Sequence, residues 1–148
     1  MNSYENIGIF IRDVDLTIIN AVTDQLKPFN LAPEQNLIML LLWEQEGYTP
    51  NEIAEQLKKD RASITRMIYR LETKGYIRRE SDKKDRRSFK VYLTEEGKDL
   101  GKEVIPFTQS IGELLTTGIK EEELNTLTRT LMKIKQNALD IGAENYGG

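Results

Sequence analysis

The chain has 148 residues, 39% hydrophobic and 30% charged, and this balance predicts a folded protein of one domain rather than a disordered chain. It contains neither cysteine nor histidine, which excludes zinc sites built from those ligands, thiol-based redox sensing and catalytic triads with a histidine base. No glycine-rich phosphate loop follows a predicted strand, so we expect no enzyme, no metal site and no cofactor.

Nothing in the sequence predicts a membrane segment or a signal peptide. The longest apolar run, Leu37–Trp43, is too short to span a bilayer. The first residues are polar and are followed by charged ones, unlike a secretory leader. We therefore expect a cytoplasmic protein without a membrane partner.

Charge is distributed unevenly along the chain. The segment Thr49–Thr94 has 13 Lys and Arg against 7 Asp and Glu, a net charge of +6, whereas the remainder has 8 against 17, a net charge of −9. A basic segment inside an acidic chain is typical of a surface that binds a polyanion.

The N-terminal third predicts two helices. Apolar residues at helical spacing indicate a first helix from about Ser3 to Lys27, ended by Pro28. A second helix begins near Pro33 and is apolar on nearly every side, so we expect it to be buried and to end at Gly47.

Two shorter helices follow. Thr49 is the predicted cap of a third helix, with Pro50 at its first position and Glu52 completing a capping box. Asp60 is the predicted cap of a fourth helix, which Gly75 ends. The predicted inner face of this fourth helix consists of Ile64, Met67, Ile68 and Leu71.

After Gly75 the hydrophobic period changes from helical to alternating. Tyr76–Glu80 predicts a short strand, and Phe89 begins a second, half-buried one. The polar, charged segment Ser81–Arg87 lies between them and predicts the tip of a β-hairpin, or wing.

The C-terminal part is again helical. Thr94 is the predicted cap of a fifth helix, which Pro106 is expected to kink, and Gly118 separates it from the last helix. The last helix has apolar residues at alternating steps of three and four, a seam that needs a partner. This seam consists of Leu124, Leu127, Leu131, Ile134, Ala138 and Ile141.

Helix, tight turn, helix and hairpin, in this order, predict a mainly α protein with a small β-hairpin: a winged helix-turn-helix lobe over residues 31–94. Residues 1–30 and 95–148 are predicted to be dimerisation helices.

The second helix of a helix-turn-helix enters the major groove of DNA. We predict base contacts from its outer face and a phosphate contact from Arg70, with Ser63 alternatively serving as part of the helix cap. The residues predicted to lie near base edges are Arg61, Ala62, Ser63, Thr65 and Arg66.

Residues Thr49–Gly97 resemble the MarR family of bacterial transcriptional regulators. The family's helix pattern of a Thr-Arg pair followed by Leu-Glu-x-Lys-Gly is met by Thr65, Arg66, Leu71, Glu72, Lys74 and Gly75. Its wing pattern of Asp-x-Arg followed by Leu-Thr-x-x-Gly is met by Asp85, Arg87, Leu93, Thr94 and Gly97. The resemblance implies a homodimer, usually a repressor, whose N- and C-terminal helices pair between subunits. In many members a small, often aromatic or phenolic, effector that binds between the dimer helices and the DNA-binding lobe releases the DNA. For this chain the resemblance leaves two alternatives, such ligand sensing or no sensing at all.

The resemblance also assigns roles within the wing. It places an arginine that enters the minor groove at Arg87 and the carboxylate that orients it at Asp85, and it leaves Lys84 and Arg86 as phosphate contacts. Asp85 precedes Arg87 by two residues, on the same side of an extended strand, so its carboxylate could accept a hydrogen bond from Arg87. The alternative is an exposed ion pair of little energetic value.

Two further alternatives remain open at this stage. A winged helix can also serve as a protein-interaction module without contacting DNA, although the segregated basic charge favours double-stranded DNA as the partner. Trp43 and Phe10 either line an effector pocket or are ordinary core residues.

Overall fold

The computed structural model describes residues 5–85 and 87–146, with the backbone alone for residues 145 and 146. Most of the described residues are helical, and one antiparallel hairpin interrupts the helices. In chain order the elements are α1 (Ile7–Leu26), a 3₁₀ turn (Lys27–Phe29), α2 (Pro33–Glu44), α3 (Pro50–Leu57), α4 (Arg61–Thr73), β1 (Ile77–Ser81), β2 (Phe89–Leu93), α5 (Glu95–Leu115) and α6 (Glu121–Tyr146).

The ends of the first two helices differ from the predicted ones. The α1 helix begins at Ile7, because the Asn6 side chain accepts hydrogen bonds from the N–H groups of Gly8 and Ile9 and so caps it there. The predicted start at Ser3 lies outside the described residues. The α2 helix ends at Glu44, before Gly47, since Gln45 is already extended.

The cap of α3 differs in one contact from the predicted capping box. The Thr49 hydroxyl accepts from the backbone N–H of Glu52, as expected, at 3.2 Å. The Glu52 carboxylate, however, accepts from the Thr49 hydroxyl at 3.1 Å instead of from its backbone N–H. The helix therefore starts where predicted, with one of the two reciprocal bonds replaced.

A single apolar core joins α2, α3, α4, the hairpin and α5. Burial of this surface is the main source of stability of the lobe. The predicted inner face of α4 is buried in it as expected, and so are Ile38, Met39 and Leu42 of α2, whereas Leu37 is 44% exposed. The fully buried side chains are Ile38, Met39, Leu42, Ile53, Ile64, Ile68, Leu71, Ile77, Val91 and Val104.

The hairpin pairs Ile77 with Leu93 at its base and Ser81 with Phe89 at its outer end. Tyr48, in the segment before α3, forms a further bridge to Val91 through two backbone hydrogen bonds of 2.9 Å that involve Gly47 and Tyr48. The base of the wing is thereby held against the segment that leads into the helix-turn-helix.

The joint between α4, the hairpin and α5 depends on three residues. Gly75 has φ +84°, a conformation that favours glycine, and it ends α4 as predicted. The Thr94 hydroxyl donates to the carbonyl of Gly75 and accepts from the N–H of Gly97, at 2.5 and 3.0 Å. A Cβ on Gly97 would lie 2.0 Å from the carbonyl oxygen of Tyr76, so only glycine fits there.

Lys74 anchors the end of α4 to the start of α2. Its Nζ donates to the carbonyl of Asn30 and to the side-chain oxygen of Gln35, both at 2.7 Å. Burial lowers the pKa of Lys74, and the nearby positive charge of Arg70 lowers it further. The Lys-Gly pair at this position is therefore a structural feature of the lobe.

By its internal contacts the chain divides into one unit that ends at Ile111 and a second that begins at Gly112. In the second unit, Gly118 ends the turn that precedes α6 with φ +79°. Much of the predicted apolar seam of α6 is open to solvent in the single chain, with Leu127 51% and Ile141 61% exposed. Within the described part of the chain, no helix combines the length and apolar character that crossing a membrane requires.

Candidate nucleic-acid interface

The α4 helix is strongly two-sided. Its inner side chains are buried in the core, which leaves the outer side facing solvent. All of the predicted contact residues of α4 except Ser63 are exposed: Arg61, Ala62, Thr65, Arg66 and Arg70. Guanidinium groups, a hydroxyl and a small residue are thus presented together on one accessible helix face.

The first turn of α4 is ordered by a short chain of hydrogen bonds. The Asp60 carboxylate accepts from the backbone N–H of Ser63 at 2.9 Å and from its hydroxyl at 2.7 Å. These two bonds hold the pKa of Asp60 below its ordinary value. The Arg66 guanidinium in turn donates to the Ser63 hydroxyl at 3.1 Å, so Ser63 links the cap to an exposed arginine.

In the wing loop, the Asp85 side chain contacts the backbone of Arg87. One carboxylate oxygen of Asp85 accepts from the backbone N–H of Arg87 at 3.0 Å, while the Asp85 carbonyl accepts from Ser88. Asp85 therefore shapes the turn from which Arg87 projects. Arg86, predicted to contact phosphate, lies outside the described residues.

The fold brings the start of α4 and the wing together. Arg61 and Arg87 line the same cleft, which also includes residues at the start of α3 and of β2. Lys84 lines a different cleft, formed by the outer part of the hairpin. Two of the predicted DNA contacts thus share one concave basic surface, and a third lies on another part of the wing.

Two arginines of β1 were missed as candidate residues by the sequence analysis. Arg79 donates from Nε to both carboxylate oxygens of Glu72 in α4, each at 3.1 Å, and its guanidinium lies over the ring of Phe89. Arg78, on the opposite face of the strand, lies over Tyr92 and pairs with Glu80. Two adjacent charged residues in a strand predict only that both of its faces are open to solvent there. The partner of Arg79 in α4 depends on tertiary packing.

Trp43 is a partly buried residue that packs against the core. Its indole N–H donates to the carbonyl of Gly97 at 2.8 Å, and its ring packs where Gly101 has no side chain. It also borders a cleft between the end of α2 and α5, whose other lining residues include Leu93, Lys98 and Ile105. Phe10 is half-buried on α1 and is not among the residues that line this cleft.

Comparison with known proteins relates the lobe to a family of regulators. The model of the MarR family matches residues 31–89, from the start of α2 through the wing loop. The organic hydroperoxide resistance transcriptional regulator of Bacillus subtilis (strain 168) is 33% identical over 117 residues, which cover 76% of this chain and 80% of that protein.

Two further comparisons extend this similarity. The HTH-type transcriptional regulator TtmR of Methylorubrum extorquens is 32% identical over 101 residues, 68% of this chain, and the chain spans about half of that protein's length, 51%. The crystal structure of a mutant MarR from E. coli complexed with operator DNA matches with a TM-score of 0.81 and 25% identity, over 90% of this chain and 96% of that one.

Proposed function

We propose that this chain, which belongs to the MarR family of transcriptional regulators, acts in the cytoplasm as a repressor that binds a specific operator as a homodimer. In this proposal the operator-binding lobe comprises residues 31–94, and residues 1–30 and 95–148 supply the dimerisation helices. Base contacts come from Arg61, Ala62, Ser63, Thr65 and Arg66 of α4. Phosphate contacts come from Arg70, Lys84 and Arg86. Arg87, oriented by Asp85, enters the minor groove.

One observation carries the proposal: the arginine-bearing face of α4 is solvent-exposed, and its first residue, Arg61, lines the same cleft as Arg87 of the wing. The core buries the opposite face of α4, so the helix can present only this side to a ligand. Guanidinium groups on such a helix suit guanine edges and phosphates, and the segment around them is basic while the rest of the chain is acidic.

Selection of duplexes from a random library, followed by binding measurements at several salt concentrations, tests this proposal. Arg66→Ala is expected to cost about 1–3 kcal/mol on the selected operator and to relax specificity at one base pair. Arg70→Ala should instead weaken binding to all sequences alike and lower the salt slope by about one. Arg129→Ala, in α6, is the matched control and should change neither.

The same measurements distinguish the alternative function. An unmodified chain that enriches no sequence and binds no duplex would indicate a protein-interaction module with a winged-helix fold. Unchanged affinity of Arg66→Ala on every sequence would remove α4 as the reading helix, even if the chain binds DNA.

We also propose that a small aromatic or phenolic molecule weakens operator binding. The cleft beside Trp43 supports this, since it combines an indole ring with Leu93, Ile105 and Lys98. The chain contains one tryptophan, so titration with a simple phenol such as 4-hydroxybenzoate should quench its fluorescence and release DNA over the same concentration range. Release without a fluorescence change would place the effector elsewhere.

A further inference from the structure

The two faces of β1 carry two arginines with nearly the same local surroundings but different partners. Each guanidinium lies over an aromatic ring of β2, Arg78 over Tyr92 at 4.9 Å and Arg79 over Phe89 at 4.3 Å. Each also pairs with a carboxylate. The partner of Arg78 is Glu80 in the same strand, whereas the partner of Arg79 is Glu72 in α4, the helix proposed to read the operator.

The contact between Arg79 and Glu72 is the better formed of the two. Both oxygens of Glu72 accept from Nε of Arg79 at 3.1 Å, and both side chains are only about one third exposed, at 34% and 35%. The Arg78–Glu80 pair is longer, at 3.3 Å, and its side chains are more than half exposed. A charge-assisted contact that is partly shielded from water holds its geometry better than an exposed pair.

Arg79 lies where the core ends and the wing continues alone. Along the same face of the hairpin, Ile77, Leu93 and Val91 are buried, whereas Phe89 is only half-buried. An isolated two-stranded hairpin is only marginally stable, so its outer half needs a contact outside the sheet to keep one orientation. Glu72 provides that contact from α4.

We propose that Glu72 and Arg79 form a clamp, with Phe89 as its platform, that sets the angle of the wing relative to the recognition helix and so allows both to engage one operator. The two are positioning residues, and the inference rests on the proposed operator-binding function. If the wing already has the orientation that binding requires, less conformational entropy is lost when the protein binds DNA.

The direction in which Glu72→Ala changes the affinity for DNA distinguishes this clamp from simple electrostatic repulsion. Glu72 is a negative charge on the helix proposed to contact DNA, so its removal alone should tighten binding to every duplex. If Glu72 positions the wing, Glu72→Ala should instead weaken binding to the selected operator by about tenfold, the scale of a coupled contact. Glu80→Ala is the matched control, because it removes the carboxylate from the other arginine of the strand, and it should leave affinity equal or slightly higher.

Arg79 requires its own pair of variants. Arg79→Lys keeps the positive charge but loses the planar fork and the stacking geometry, so it is expected to behave like Glu72→Ala. The double variant Glu72→Ala with Arg79→Ala should bind no more weakly than Arg79→Ala alone, since either change opens the same clamp. If Arg79 contacts DNA and Glu72 merely repels it, the two effects have opposite signs and add.

A second readout does not involve DNA at all. The chain lacks cysteine, so Lys83→Cys places a unique fluorophore on the wing loop. Its anisotropy in the free protein should fall when Glu72→Ala is added and stay unchanged with Glu80→Ala. Thermal unfolding of each variant checks that the lobe itself remains folded.

The outcomes are distinct for the two proposals. Failure of the unmodified chain to bind any selected duplex overturns the proposed function, while the anisotropy experiment still decides whether the clamp holds the wing. Unchanged or tighter operator binding by Glu72→Ala, or equal wing anisotropy in Glu72→Ala and Glu80→Ala, overturns the clamp.

Discussion

Three aspartates of the lobe each accept a hydrogen bond from a backbone N–H two or three residues further along the chain. Asp60 accepts from Ser63 at the start of α4, Asp82 from Lys84, and Asp85 from Arg87 in the wing loop. Short acidic side chains favour such local bonds, which fix the backbone of a cap or a turn. At the residue scale, Asp85 is therefore proposed to orient Arg87 by holding the backbone turn from which Arg87 projects.

This geometry makes a prediction for the wing that separates charge from hydrogen bonding. Arg87→Ala should sharply weaken operator binding while leaving the fold intact. Asp85→Ala should also weaken it, because the turn loses its acceptor, although a negative charge is removed near DNA. Asp85→Asn, which retains an acceptor oxygen, should keep most of the affinity.

Asp82→Ala provides the matched control, since it removes the same charge and the same kind of bond from the other side of the loop. Binding titrations at constant salt measure all four variants. A gain in affinity for Asp85→Ala would mean that the carboxylate only repels DNA and does not position Arg87.

At the element scale, the joint between α4, β1 and α5 explains a pattern that the sequence analysis treated as part of the wing. Thr94 bonds to Gly75 and Gly97, and Gly97 lies directly against the backbone of Tyr76. The Leu-Thr-x-x-Gly stretch therefore holds the start of α5 against the end of α4. This contact determines the position at which the hairpin extends beyond the core.

We expect Gly97→Ala to destabilise the protein by about 1–3 kcal/mol, because an added methyl group would overlap the carbonyl of Tyr76 and force the backbone apart. Urea unfolding measures the change. Gly112→Ala is the control in the same helix: its Cβ would meet nothing within 4 Å, so it should stabilise by roughly 0.5–1 kcal/mol. Equal stability of Gly97→Ala and the unmodified chain would show that the joint relaxes at little cost.

At the scale of the whole molecule, the long terminal helices bury few side chains for their length. Leu26 is the buried residue of α1, and none of the α6 side chains described here is buried. The α1 helix leaves Ile7 and Val14, seven residues apart on one face, exposed, and α6 leaves Leu131 39% exposed. Helices with one open apolar face are stabilised by packing against a partner, which supports the proposed homodimer.

Leu131→Glu is expected to dissociate the dimer, because the proposed interface would have to bury an unpaired carboxylate. Light scattering should then give the mass of one chain, 17.1 kDa, where the unmodified protein gives about twice that. Lys133→Glu adds more negative charge on the opposite side of α6 and should remain dimeric. A monomeric unmodified chain at micromolar concentration would contradict the proposed assembly.

A dimer would present two copies of α4 to successive major grooves, about 34 Å apart. The selected operator should then be a pseudo-palindrome with that half-site spacing, and Leu131→Glu should reduce affinity for the full site far more than for one half-site. An operator without internal symmetry would contradict this arrangement.

Local sequence patterns were enough to predict the order of elements, most of their ends and the two faces of α4. These features depend on interactions within a few residues: the Asp60 cap, the Gly75 stop, and a hydrophobic period that separates the buried Ile64 side from the exposed Arg66 side. The prediction of a mainly α protein with a winged helix-turn-helix is confirmed, whereas the individual DNA contacts and the division into lobe and dimerisation helices stay predictions.

Which distant groups meet depends on how the elements pack together. The bridge between Tyr48 and Val91, the contact of Glu72 with Arg79, and the cleft shared by Arg61 and Arg87 have no counterpart in local sequence pattern. Their partners lie 7 to 43 positions apart in the printed sequence, so their distances depend on the angles at which helices and hairpin pack on the common core. Periodicity and capping specify an element and its buried face, but packing of all the elements together specifies which side chains come within bonding distance.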